Sequence, residues 1–550
     1  MILATTKTPA RSNQWIGLVL ILITGTVIIF YYGQQVTFVI DEWQLIQSRT
    51  TPSASSLLDP FNNHLMAIPI GFTQIFYHIF GISSHFPYRA LQLIVHLGAA
   101  TVLFVYLKQR TAYWVALSVT AVFVLYGYTA AILIWPISLG WTLAVLGGIS
   151  ALLLLDRRSL AADLAASAAL LVCVASTSVG IAFVLGVAVE LIAARHWRRF
   201  WIVGVPLASY LIWYATSSDS NTKTSSLSVT LRFAQELLAQ TIGTLLGVQA
   251  RGVAADATLV VVVVGLGFAW LRLGKPHSAR LLGIAATLVT MVGALAVGRA
   301  SSGLTPWFSY AVGVVLIILV IELFSHSRPP SQFIQVLIVI IALWAIIWNV
   351  GQLNNEAKKF REISETEKTQ LAVLASIETQ VPNSFMPGPF LQTLTAGRYK
   401  QVVIDFGTPA FSVAEAKQAK KIARRNGDET LVRGLNVRPL AGAAETLGIP
   451  VAKIAVRGGT ISEVSGCTQI VNQSEPTTAT LKNPSLAVTV EPVDGKATVY
   501  AGILSPGSQF IGELNAGERA LIKAPAVPSL GQWTLKIVAT GNVRICSASQ

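Results

Sequence analysis

Apolar runs of bilayer-crossing length follow one another through the first two thirds of the chain, separated by short polar turns. They occupy roughly residues 15–32, 88–107, 112–129, 132–155, 160–176, 179–194, 200–215, 257–273, 281–297, 308–324 and 332–350. About 20 apolar residues cross the ~30 Å of hydrocarbon in a bilayer, so the pattern predicts about eleven spans. The stretch 231–248 reads as a surface or partly inserted helix. Past Asn354 the periodicity changes. EAKKFREISETEKTQLAVLASIE has apolar positions at helical spacing among many charges, as a connecting helix would, and VAEAKQAKKIARRN suggests another. Beyond about residue 450 come short alternating runs, SLAVTVEP, KATVYAGIL, QFIGEL, RALIKAP and WTLKIVAT, which predict a β-sandwich or jelly roll. The expected fold is a polytopic α-helical membrane protein carrying a C-terminal α+β or β-sandwich domain, with boundaries near 350 and 450.

Composition agrees with the pattern. Only 12% of residues are charged, against about 25% in soluble domains, and 53% are hydrophobic. The first 350 residues hold 29 charged side chains and the last 200 hold 37, which marks a change of solvent. A net charge of +14 would suit nucleic acid, but the basic residues sit in turns between apolar runs, so no nucleic-acid partner is expected. Lys7 and Arg11 precede the first run. Every second turn afterwards is basic: Lys108 and Arg110, then Arg157 and Arg158, then Arg195, Arg198 and Arg199, then Arg272, Lys275 and Arg280. Basic turns mark the cytoplasmic side, so the amino end is expected inside, and the loop 34–87 and the C-terminal domain outside. No cleavage pattern follows the first run, so it reads as a retained helix. Cys467 and Cys546 then fall in an oxidising compartment and are expected to bridge, while Cys173 lies within a span.

Candidate chemistry gathers in QQVTFVIDEWQLIQSRTTPSASSLLDPFNNHLMAIP, residues 34–69, where Asp41, Glu42 and Asp59 are acids in a half of the chain poor in them. A carboxylate just outside a span meets water and a membrane-embedded substrate together, whereas one at mid-bilayer is costly to ionise. Adjacent side chains diverge, so one of Asp41 and Glu42 points into a given cavity, and one suffices as a general base. His64, after Asn62 and Asn63, is placed to meet a phosphate, sugar hydroxyls or a carboxylate. Arg299 ends an apolar run on the outward side, against the usual bias of basic residues, and suits an anionic phosphate. Trp135 and Trp307 suit the interface, as do Trp141 and Tyr310, and the first two double as sugar platforms. His78, His85 and His96 have no metal-binding spacing. A lipid flippase would call instead for ionisable residues or paired helix breaks at mid-bilayer, for which Pro136, Pro206 and Glu190 are the candidates. A non-catalytic glycan-binding scaffold is a third class.

The outward acidic pair, the downstream NNHLMAIP, the run YRALQLIVHLGAATVLFVYLKQR and the later GRASSGLTPWFSYAV resemble the GT-C superfamily of integral-membrane glycosyltransferases over about the first 350 residues. The resemblance implies a helical bundle in a bacterial plasma membrane and a polyprenyl-phosphate sugar donor. The acceptor would be a glycan, lipid or protein hydroxyl outside the cell. It implies Asp41 as catalytic base, with Glu42 as the alternative. Arg299 would bind donor phosphate, His64 and Asn63 would line the cavity, and a divalent cation (Mg, Mn or Ca) has room near the acidic pair. WFSY lacks the arginine expected before its tyrosine, so a second phosphate contact is not provided there. The β-rich tail is similar to carbohydrate-binding modules of actinobacterial arabinofuranosyltransferases and mannosyltransferases.

Overall fold

A computed structural model describes residues 13–217, 226–273, 278–325, 330–391, 393–441, 446–451, 454–473 and 476–548. The basic residues Lys7, Arg11 and Lys275 lie outside the described residues. The contacts divide the chain into two compact units, one made of residues 1–36, 49–79 and 86–359, the other of 37–48, 80–85 and 360–550.

The first unit is helical. It holds α1 (Asn13–Gly33), and the second unit takes α2 (Asp41–Ser48). Then follow α3 (Ala54–Leu58), α4 (Ala67–Phe80), α5 (Phe86–Lys108), α6 (Tyr113–Val124), α7 (Ala130–Ile134) and α8 (Leu139–Leu155). After these come α9 (Leu160–Ser176), α10 (Gly180–Ala193), α11 (Trp201–Ser217), α12 (Leu227–Leu245), α13 (Val253–Leu273), α14 (Ala279–Arg299) and α15 (Phe308–Phe324). The last is α16 (Gln332–Ile377), whose residues from 360 onward belong to the second unit. Among the described residues six helical stretches are long and apolar enough to cross a membrane, and further apolar helices such as α9, α10 and α15 are shorter. This is the architecture of a membrane-embedded protein. The sequence pattern did not predict α4, an apolar helix of 14 residues inside the loop 34–87.

Two other departures have local causes. The helices expected at 112–129 and 132–155 are interrupted between Leu125 and Ser138 by 3-10 turns at Gly127–Thr129 and Pro136–Ser138. Gly127 passes so close to α16 that a Cβ there would lie 1.9 Å from the Asn349 carbonyl oxygen, and Pro136 has no N–H to give. Backbone carbonyls near the break are met by side chains. The Val124 carbonyl pairs with His96 Nε2 at 3.1 Å, Ile132 O accepts from Gln92 Nε2, and Ala131 O accepts from Ser138 Oγ at 3.3 Å. Water-free surroundings require such partners. The span expected at 332–350 and the separate connecting helix are in turn one helix of 46 residues, α16, since no proline follows Val350 within it. At 1.5 Å per residue it runs about 69 Å, more than twice a hydrocarbon core.

At one end of the helical unit the turns expected on the cytoplasmic side meet in an ionic cluster. Arg110 reaches Glu322 and, at 2.7 Å, Asp156; Arg280 reaches Asp156 at 2.8 Å and Glu190 at 2.9 Å; Arg199 reaches Asp163 at 2.5 Å. Tyr106 also donates to Glu322.

The second unit combines α17 (Ala396–Phe406), α18 (Val413–Gln418) and α19 (Lys421–Gly434) with twelve strands. Residues 413–426, expected as one helix, are divided at Ala419–Lys420. The strands form two antiparallel sheets. One has the order β1 (Pro439–Ala441), β10 (Ala520–Ala524), β7 (Leu486–Pro492), β12 (Val543–Ala548), β5 (Cys467–Asn472), β4 (Gly459–Val464), with β2 (Thr446–Pro450) also on β12. The other runs β3 (Ile454–Arg457), β6 (Thr477–Asn483), β11 (Trp533–Ala539), β8 (Lys496–Gly502), β9 (Gln509–Asn515). The period-two burial of β6 and β8 is the alternation read from the sequence. Cys467 and Cys546, on neighbouring strands, are bonded as a disulfide. The buried Asp428 carboxylate on α19 accepts the backbone N–H groups of Ile503, Leu504 and Ser505 at 2.7–2.9 Å, which ties the helix to the turn after β8. Burial pushes its pKa up to about 6 although those three donors pull it down.

Candidate functional site

In the helical unit the structure brings together three residues singled out by sequence. Phe61 and His64 exchange backbone hydrogen bonds of 3.0 and 2.9 Å, and the two-residue turn between them has φ of 50° at Asn62 and 65° at Asn63. Asparagine tolerates that left-handed region, so the pair makes a tight turn that presents His64. Arg299, the last residue of α14, donates from one guanidinium nitrogen to His64 Nε2 at 2.7 Å and to the Asn62 carbonyl at 3.2 Å.

A guanidinium only donates, so His64 Nε2 must be the accepting nitrogen and Nδ1 carries the proton. Nδ1 then donates to Ser178 Oγ at 2.9 Å, and Ser178 lies 3.1 Å from the Tyr210 hydroxyl. The imidazole is neutral: burial, and then the Arg299 charge, lower its pKa to about 4. His64 therefore orients Arg299 through a relay of Tyr210, Ser178 and His64. It does not serve as a proton donor near neutral pH. Ser178 and Tyr210 were missed in the sequence, where the available signal was the polar pair Thr177–Ser178 at a turn expected outside. Trp213 pins the same region, donating to Leu58 O at 2.6 Å. Trp135 and Trp307 do meet, edge to face at 6.5 Å between ring centroids, but Trp135 is only 8% exposed, which suits packing better than a sugar platform.

The acidic pair belongs to the second unit, where its members part. Glu42 is buried: one oxygen accepts Val39 N–H at 3.0 Å, closing the start of α2, and the other lies 3.1 Å from His85 Nε2. Asp41, the first residue of α2, is half-buried. Just before it Ile40 has φ 50°, a left-handed conformation that a β-branched residue adopts only when its surroundings force it. The surroundings are on α16. Glu367 accepts Ile40 N–H at 3.3 Å and Trp43 Nε1 at 3.2 Å, and Ser364 accepts Thr37 N–H at 3.0 Å. Glu367 and Ser364 lie more than 320 residues away in sequence, so no local pattern announces them. His85, which has no metal-binding spacing in the sequence, is a partner of Glu42.

Among the described residues no group of three His, Cys, Asp or Glu side chains could hold a metal ion. Near Asp41 the reason is visible, since both Glu42 oxygens are engaged. In the β-domain an aromatic pair stands on the five-stranded sheet: Tyr500 and the exposed Phe510 pack at 6.0 Å, with the Lys536 ammonium 5.7 Å over the Tyr500 ring. No family model matches this chain, and no curated protein matches it.

Proposed function

We propose that this chain is a membrane glycosyltransferase of the GT-C kind, moving a sugar from a polyprenyl-phosphate donor to an extracytoplasmic hydroxyl on a glycan, lipid or protein. The observation that carries the reading is the grip on Arg299 by a neutral histidine. An arginine whose orientation is set in advance loses little on meeting a phosphate, and a donor placed where charge develops is worth more than one that must reorganise.

In a single displacement the acceptor oxygen attacks the anomeric carbon as its proton passes to a carboxylate base, the role that the resemblance gives Asp41. The bond from that carbon to the phosphate oxygen breaks, and the phosphate leaves with the bonding electrons, its added charge met by Arg299. The anomeric centre inverts. Of the two acids, Asp41 takes the base role on the resemblance, with Glu42, whose oxygens meet Val39 N–H and His85, as the alternative. The residues around the pair do not form an all-protein metal site, and the steps above use none. The Tyr500–Phe510 pair, with Phe510 exposed, gives the β-domain a surface suited to stacking on sugar rings.

Purified full-length protein in lipid, given labelled polyprenyl-phosphate sugars and candidate acceptors, is expected to transfer sugar, and Asp41→Asn to lose transfer while folding normally. Full transfer by Asp41→Asn would remove the base assignment. Lipid movement across vesicles with no transfer would favour a flippase.

A further inference from the structure

The ionic end of the helical unit surrounds a cavity of about 500 Å³ that the sugar-transfer reading does not use. Arg110, Arg158, Arg199, Arg280 and His196 line it, with Asp156, Glu190 and Glu322. Each of those acids is already held by arginine: Glu322 by Arg110, Asp156 by Arg110 and Arg280, Glu190 by Arg280. Arg158 is different. It is exposed in the turn after α8, and among the described residues it makes no ion pair. Ser278 and Ala279, at the amino end of the 21-residue α14, also line the cavity, so backbone N–H groups and the positive end of the helix dipole add to it. Exposed Arg157, Arg195 and Arg198 lie in the same turns, so the turns and cavity of this end carry seven arginines against the four acids Asp156, Asp163, Glu190 and Glu322.

From this cavity and its surplus of arginine we propose that the ionic end of the bundle is a binding site for a phosphoryl group, contributed by the headgroup of an anionic phospholipid. Two features choose the lipid as the source. Trp197, in the same turn as Arg198 and Arg199, is 62% exposed, as an aromatic anchor at headgroup depth would be. Basic pockets between helices at the ends of membrane spans are also suited to anionic headgroups. Arg158 supplies the cation the phosphate pairs with, and the paired arginines below it keep the acids from repelling the ligand. The site rests on the helical unit being embedded in a bilayer and is independent of sugar transfer.

The test is the thermal midpoint of the detergent-purified full chain, titrated with phosphatidylglycerol, phosphatidylcholine or sodium phosphate. Phosphatidylglycerol is expected to raise the midpoint at concentrations where phosphatidylcholine does not. Arg158→Gln should weaken that response about tenfold, and Arg158→Lys should recover much of it. Stabilisation by sodium phosphate alone, lost in the same variant, would keep the phosphoryl site and make its ligand a soluble phosphate. Arg157→Gln is the control, since Arg157 is exposed next to Arg158 in the chain but does not line the cavity. Equal weakening by Arg157→Gln, or no effect of Arg158→Gln, would overturn the site and leave only general surface attraction.

Discussion

The two ends of the helical unit use arginine in opposite ways. At one end Arg110, Arg199 and Arg280 are spent on Glu322, Asp163, Asp156 and Glu190, charge against charge. At the other, Arg299 is held by an imidazole lone pair and a backbone carbonyl. The neutral histidine fixes the direction of the guanidinium without bringing a charge of its own. The first end joins its helices through ion pairs, and the second aims an arginine through a neutral relay.

The largest expected effect breaks the ion-paired end. Glu322→Ala removes a buried carboxylate from Arg110 and Tyr106 and should cost on the order of 3–5 kcal/mol of stability, read as a lowered thermal midpoint. Turnover per folded molecule should stay unchanged. Lost turnover at full stability would mean that this end takes part in the reaction.

Next comes the pH dependence of the other end. His64 is held neutral with a folded pKa of about 4, while in the unfolded chain it takes a proton near its ordinary 6.5. Its contribution is thus intact above pH 6.5 and is lost as pH falls from 6.5 to 4, roughly 3 kcal/mol in all. A series of thermal midpoints from pH 7 to pH 4 should fall more steeply for the wild type than for His64→Gln. Identical slopes would contradict a buried neutral imidazole.

The smallest effect sharpens the relay. Ser178→Ala removes the acceptor for His64 Nδ1 and should cost about 1–2 kcal/mol, together with a several-fold rise in KM for the donor as Arg299 loses its orientation. A loss of stability with KM unmoved would make the relay purely structural.

Much of the helical unit was legible because a bilayer imposes one coarse rule on long apolar runs. α9 and α15 fall where the pattern placed them, at residues 160–176 and 308–324. The short helix α4 and the break at Gly127 were not legible. Each depends on contacts from distant segments, such as α16 against Gly127, and the hydropathy of the run does not reveal them. The same contrast holds at the site. Arg299 and His64 could be singled out separately, by an unusual side of the membrane and by chemistry, but their bond spans 235 positions of chain. Asp41 and Glu42 look equivalent in sequence. What separates them is His85, together with the Val39 amide that one of the two must accept, and the long-range contacts of Glu367 with Ile40 and Trp43 set the strained entry to α2.

The most direct measurement is kcat/KM for sugar transfer from a polyprenyl-phosphate donor by the wild type and by Arg299→Gln, each in lipid and matched for folded protein. Loss of a preorganised cation at the departing phosphate predicts a fall of about 10²–10³-fold with the thermal midpoint little changed. Equal kcat/KM in the two proteins, or no transfer by the wild type with any such donor, would contradict the account.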